Sequence, residues 1–271
     1  MGFARGSPIR GVRLIAGAGG PRGMQRQARW LAPREMGGPG GKPTQRGWDG
    51  PRVSGNRRRS VAGVLADPRA RLGAGTAVVL VTAIAAHRNR VGRGEATAFR
   101  AVNGLPDALY PPAWIIMQLG TLGAAPATAA VAWLAGERTL AGRLLAGGAG
   151  TWAASKLVKR IVRRPRPAAL LAGTHRRGPD AAGLGYLSGH AGVAVALGAA
   201  ALPHLGPAGR ALTLAAMPAV GLTRVYVGAH LPLDIAGGAA LGLAMEAALA
   251  LAHDAAGLRS GGSAASHKRC G

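Results

Sequence analysis

From residue 72 onward, charge-free apolar runs alternate with short stretches where charge and proline gather. Leu72–Ala86 has 15 residues without a charge and Ala113–Ala135 has 23. Leu187–Leu205, Ala211–Val227 and Leu231–Ala252 are further apolar runs, the last two interrupted by Arg224, Asp234 and Glu246, and Thr139–Val158 carries Arg143 and Lys156 near its ends, where long cationic side chains can reach an interface. Crossing a bilayer takes roughly 20 residues of helix. The pattern therefore predicts an all-α polytopic membrane bundle of about six transmembrane helices over 71–253. Ala113–Ala135 is the clearest span, and the first and third segments are the weakest. A flexible C-terminal tail is expected over 254–271.

Residues 1–70 differ. They are rich in Gly, Arg and Pro, have no sustained hydrophobic period, and hold 14 basic residues against Glu35, Asp49 and Asp67. Such a segment cannot bury enough apolar surface to offset its ordering entropy, so a disordered basic tail is predicted. Its apolar stretch near Leu14–Ala18 is too short for a secretory signal. The tail reads as a dispensable extension, with Met24, Met36 or a later residue as the start of translation. The alternative is a polybasic arm on anionic lipid or nucleic acid.

Composition supports the membrane reading. The chain is 48% hydrophobic but only 4% aromatic, with 45 Gly, and helices of small residues pack well in lipid. The net charge of +24 suggests nucleic acid at first sight. Its distribution argues otherwise: Lys156–Arg177 adds eight cations and no acid, in a loop between two predicted spans. Cys270 is the single cysteine, so neither an intrachain disulfide framework nor a cysteine metal site is available.

Ionisable residues inside apolar runs mark a function or a helix end. His190, Arg224, Asp234 and Glu246 are such residues. By the parity of six spans, the 87–112 linker, the loop between spans three and four, and that between five and six emerge on one face. His230 and Asp234, four apart, would be neighbours on one helical face. The carboxylate could then orient the imidazole and leave its other nitrogen free to attack, or the two could simply satisfy each other. His190 could protonate a leaving group. Lys159, Arg166 and Arg224 would neutralise a phosphoryl group, aided by Ser188 and the Gly189 amide at a helix N-terminus. Arginines 160, 163, 164, 176 and 177 read as solvated or headgroup-facing. A Ser-Gly-His tripeptide or a basic loop carries little information alone.

In order and spacing, Lys159-x6-Arg166-Pro167, Ser188-Gly189-His190 and Thr223-Arg224-x5-His230-x3-Asp234 resemble the three-part signature of the type 2 phosphatidic acid phosphatase (PAP2) superfamily. Leu187 stands where that signature has Pro, and Thr223 where it has Ser. The resemblance implies a metal-independent membrane lipid phosphatase without cofactor: His230 as nucleophile forming a phosphohistidine, His190 as acid, Asp234 as orienter, and Lys159, Arg166, Ser188, Gly189 and Arg224 on the phosphate. Its partners would be a lipid phosphate substrate and membrane lipids, with no nucleic acid expected. Phosphatidate, phosphatidylglycerophosphate and polyprenyl diphosphate are the substrates it suggests. The predicted spans argue against the soluble vanadate-dependent haloperoxidase branch. With a cytoplasmic N-terminus the site would face outward from the cell membrane; that parity flips if the first segment does not span. Two rivals are a non-enzymatic membrane protein with a basic tail, and a metalloenzyme using His190, His230 and Asp234 with His175 nearby.

Overall fold

The computed structural model describes residues 67–179 and 183–267, the side chains as far as 256. The chain divides into two units, Met1–Gly55 and Asn56–Gly271, and every described residue belongs to the second. The basic tail predicted over 1–70 lies almost wholly outside the described residues.

Among the described residues there are nine α-helices and no strand. They are α1 (Pro68–His87), α2 (Arg93–Asn103), α3 (Tyr110–Gln118), α4 (Ala124–Leu134), α5 (Arg138–Val162), α6 (Pro167–Leu170), α7 (Gly189–Ala201), α8 (Pro207–Tyr226) and α9 (Pro232–His267). Their starts follow local chemistry. Asp67 caps α1 by accepting from Arg69 N at 2.9 Å, with Pro68 in the first turn, and Ser188 caps α7 by accepting from Ala191 N. Proline opens α6, α8 and α9, where its missing N–H costs no helical hydrogen bond.

Helix α9 packs against α1, α7, α5 and α8, while α4 lies on α5 and α3 on α8. The interior is built of small residues: Ala86, Ala125, Val193, Val220 and Ala247 are inaccessible to solvent. Many of the larger apolar side chains point outward, with Leu134 86% and Leu212 73% exposed, while Phe99, Tyr186, Leu187 and Leu231 are buried. Water would penalise that inversion, whereas lipid accepts it. Close approach sets the α7–α9 crossing, since a Cβ on Gly242 would overlap the Gly192 carbonyl oxygen and one on Gly192 would sit 2.9 Å from the Gly238 carbonyl oxygen.

The spans map unevenly onto the helices. Pro68–His87 and Pro232–Ala256 are long and apolar enough to cross a bilayer. The Ala113–Ala135 segment, read as the clearest span, is instead two helices, α3 and α4, separated by turns at residues 119–123. The reason is tertiary: Gly120 sits against the His190 peptide, where a Cβ would lie 2.5 Å from the carbonyl oxygen. The linker read between the first two spans contains α2, which packs on α8 and α9. Beyond Ala252, α9 continues helical to His267 through the segment read as a tail; residues 268–271 lie outside the described residues.

Candidate active site

The site forms where the ends of α5, α8 and α9 meet the start of α7. Helix α5 stops at Val162 because Arg163 turns into the left-handed region at φ 56°. Lys159 lies in its last turn and donates from Nζ to the carbonyls of Leu184 and Gly185 at 3.1 and 3.0 Å. After the turn, Arg166 donates from Nη1 to Ala229 O at 2.9 Å and from Nε to Gly183 O at 3.2 Å. The basic loop is thereby tied to both the 183–188 segment and the turn that holds His230.

Ser188 belongs to the same assembly in a different capacity from the predicted one. Its side chain is buried, its N–H donates to Asp234 O at 2.9 Å, and its hydroxyl caps α7. Gly189 follows as the first residue of α7, 3.0 Å (by a notional Cβ) from Ser155 Oγ. Tyr186, two residues earlier, donates to Val79 O at 2.9 Å and shares a 2.8 Å hydrogen bond with Thr82, anchoring this segment to α1. The peptide between Tyr186 and Leu187 is cis.

His230 lies in the turn between α8 and α9, its N–H donating to Arg224 O at 3.2 Å. Its Nδ1 faces Asp234 Oδ2 at 3.7 Å, longer than a hydrogen bond, and has no other partner. Nε2, across the ring, is the nitrogen that Asp234 does not engage. Burial pushes the His230 imidazole down to about 3, against the raising effect of the Asp234 carboxylate. The neutral form, with a lone pair available, therefore prevails at neutral pH.

A cavity of about 670 Å³ opens beside this turn, bordered by His190, Arg166, Arg224 and Ala229, with Tyr110 and Trp114 of α3 among its outer residues. Arg224 is steadied by Met117, Nη1 to Sδ 3.1 Å. Burial lowers the Arg166 guanidinium from its ordinary value while Asp234 raises it, and the group remains a cation. His190, Arg166 and Arg224 border this cavity, with His230 and Asp234 buried beside it and Lys159 close behind, an arrangement suited to receive a tetrahedral oxyanion. Among the described residues no cluster of three or more His, Cys, Asp or Glu side chains could hold a metal ion.

The structure thus brings together all eight residues predicted for the site. It also corrects the reading of two arginines and adds two partners. Arg164, expected at the surface, is wholly buried. It donates from Nη1 to Asp234 Oδ1 at 2.9 Å and to Glu95 Oε1 at 3.1 Å, and from Nη2 to Glu95 Oε2 at 2.8 Å. Burial would lower this guanidinium, but the hydrogen bonds and charges of Glu95 and Asp234 raise it overall. Glu95 also accepts from Leu233 N at 3.1 Å, joining α2 to the first turn of α9.

Arg177, likewise read as solvated, donates to the carbonyls of Asn103, Tyr226 and Leu105 and to Asp107, and stacks 4.2 Å from the Tyr226 ring. Helix ends leave carbonyls without intrahelical donors, and Arg177 serves those of α2 and α8. Asn103 completes the latch, exchanging hydrogen bonds with the His175 backbone at 2.8 and 2.9 Å. The sequence held one cue to Glu95: acids are scarce, and it and Asp107 are the only two in the linker.

Residues 139–257 match the family model of the PAP2 superfamily. Two solved structures share the fold. Aquifex aeolicus LpxE is 19% identical with a TM-score of 0.53, over 57% of this chain and 93% of that one. A transmembrane PAP2-type phosphatidylglycerolphosphate phosphatase from Bacillus subtilis is 17% identical with a TM-score of 0.51, over 67% and 96% respectively. No curated protein matches the chain significantly.

Proposed function

From the match of residues 139–257 to the family model of the PAP2 superfamily, we propose that the chain is a multi-pass membrane phosphatase that releases phosphate from a lipid phosphate or diphosphate. The observation that carries this reading is the placement of His230, backed by Asp234, in the turn beside a cavity bordered by His190, Arg166 and Arg224. A phosphoryl group in transfer spreads negative charge over its oxygens, and fixed cations stabilise that charge without reorganising.

In the proposed mechanism, His230 Nε2 attacks phosphorus and the bond to the lipid oxygen breaks. His190 gives its proton to that oxygen, releasing the alcohol, or a monophosphate where the substrate is a diphosphate. Water then attacks the phosphohistidine and loses a proton to His190; the P–N bond breaks, freeing inorganic phosphate and restoring both histidines. Arg166 and Arg224 hold the non-bridging oxygens with Lys159 behind them, and Asp234 offsets the charge that develops on the imidazole. The exposed apolar side chains and the two long apolar helices support insertion in a bilayer. Six spans and a cytoplasmic N-terminus would set the site on the extracytoplasmic face.

The test is phosphate release by purified protein from phosphatidate, phosphatidylglycerophosphate and a polyprenyl diphosphate. Turnover of at least one, abolished in His230→Ala with the protein still folded, is the expected result. No turnover of any, or full turnover in His230→Ala, would overturn the reading or its nucleophile respectively.

A further inference from the structure

We propose that Arg164, clamped by Glu95, is a positioning residue that orients the Asp234 carboxylate behind His230 and sets the net charge there; this rests on the phosphatase reading above. Arg164 does not border the cavity, so it does not hold substrate. What it holds is Asp234, whose two oxygens are used separately. Oδ1 takes Arg164 at 2.9 Å, and Oδ2 takes Leu231 N at 2.8 Å while facing His230. A carboxylate pinned on both oxygens cannot rotate away from the imidazole.

Charge explains why a third member is present. Arg164 and Asp234 alone would sum to zero, and a neutral pair would do little for a cationic imidazole. With Glu95 bonded to both terminal nitrogens of Arg164, the trio carries a net charge of −1. Asp234 and Arg164 are both inaccessible to solvent, where Coulomb terms are strong and desolvation is expensive. Buried ion networks are poor devices for stability, which is consistent with a task in chemistry. The planar fork of arginine is also specific here: it reaches two carboxylates at once, and lysine offers only a point charge.

The experiment is steady-state phosphate release by the full chain in detergent. It uses whichever of phosphatidate, phosphatidylglycerophosphate and polyprenyl diphosphate is cleaved, with inhibition by inorganic phosphate measured alongside and rates expressed per folded molecule. Arg164→Lys is expected to lower kcat about 10- to 100-fold while KM and the inhibition constant for phosphate move less than about 3-fold. Glu95→Gln, which keeps the Arg164–Asp234 contact but removes one negative charge, should lower kcat about 10-fold with the same split. Arg164→Gln should fall below Arg164→Lys. If Arg164→Gln does not fold, the other two variants still decide. Unchanged kcat in both, or a loss confined to KM, overturns the proposal. A wild-type chain that cleaves none of these lipids overturns the phosphatase reading itself, and this inference with it.

Discussion

His230 Nδ1 and Asp234 Oδ2 stand 3.7 Å apart in a pocket that leaves the imidazole 3% exposed. Their register comes from a single helical turn: His230 lies near the end of the α8–α9 connection, and Asp234 accepts a backbone hydrogen bond from Leu231, the residue just before α9. A substrate phosphate would draw this contact shorter, because catalytic hydrogen bonds often tighten only in the loaded complex.

Replacing Asp234, the proposed orienter, should therefore be nearly as damaging as replacing His230, the proposed nucleophile. Asp234→Asn is expected to lower kcat by about 10³- to 10⁴-fold, the scale of loss when a catalytic imidazole loses its carboxylate. Phosphate release under saturating substrate measures it. Activity within about tenfold of wild type would show that Asp234 does not act through His230.

Acid should weaken the fold through the same histidine. Its folded value of about 3 lies below the ordinary 6.5, so the unfolded chain takes up the proton more readily. Its contribution is complete above pH 6.5 and is lost as pH falls toward 3, by about 1.4 kcal/mol per pH unit. Melting temperatures in detergent at pH 7.5, 6.5 and 5.5 should fall less steeply for His230→Asn than for wild type. Equal slopes would contradict this.

Chelation distinguishes fixed side-chain cations from a metal centre built on His190, His230 and Asp234. If Arg166 and Arg224, with Lys159 behind them, neutralise the phosphoryl oxygens as proposed, turnover survives prolonged treatment with EDTA. Loss of activity that zinc or magnesium restores would favour the metal reading.

Packing at the α7–α9 crossing should be intolerant of volume. Gly242→Ala places a methyl group on the Gly192 carbonyl and is expected to cost about 1–3 kcal/mol, read as a lower melting temperature in detergent. An unchanged melting point would show that the helices can separate freely.

A second buried acid offers a contrast. Glu246 pairs with Arg71 at 3.0 Å and with Arg143, and Arg143 lies 16 positions before Lys159 on α5, about 24 Å along the helix. Glu246→Gln should lower stability by about 1–3 kcal/mol with kcat preserved in the folded protein. A fall in kcat without a fall in melting temperature would tie this cluster to the chemistry.

Much of the site was legible because it is written in local spacing. His230 and Asp234 are one turn apart, Lys159 and Arg166 flank one helix end, and Ser188 precedes a helix it caps; short-range geometry is enough to pair or place each of them. The apolar runs likewise announced helices, since a long charge-free stretch of small residues has few other ways to satisfy its backbone in lipid.

Spacing and composition were enough for the helical character, the order of the motifs and the identity of the residues offered for chemistry. Which cations face the cavity and which are sealed behind it is settled by long-range packing. Arg164 and Arg166 are two residues apart in the same basic loop, yet one is wholly buried on Glu95 and Asp234 and the other borders the open cavity. Their separation depends on Glu95, 69 positions earlier in the chain than Arg164, and composition or periodicity carries no information about a contact at that distance. The same holds at Gly120, where approach to the His190 peptide interrupts a segment that its hydropathy alone would have made one helix.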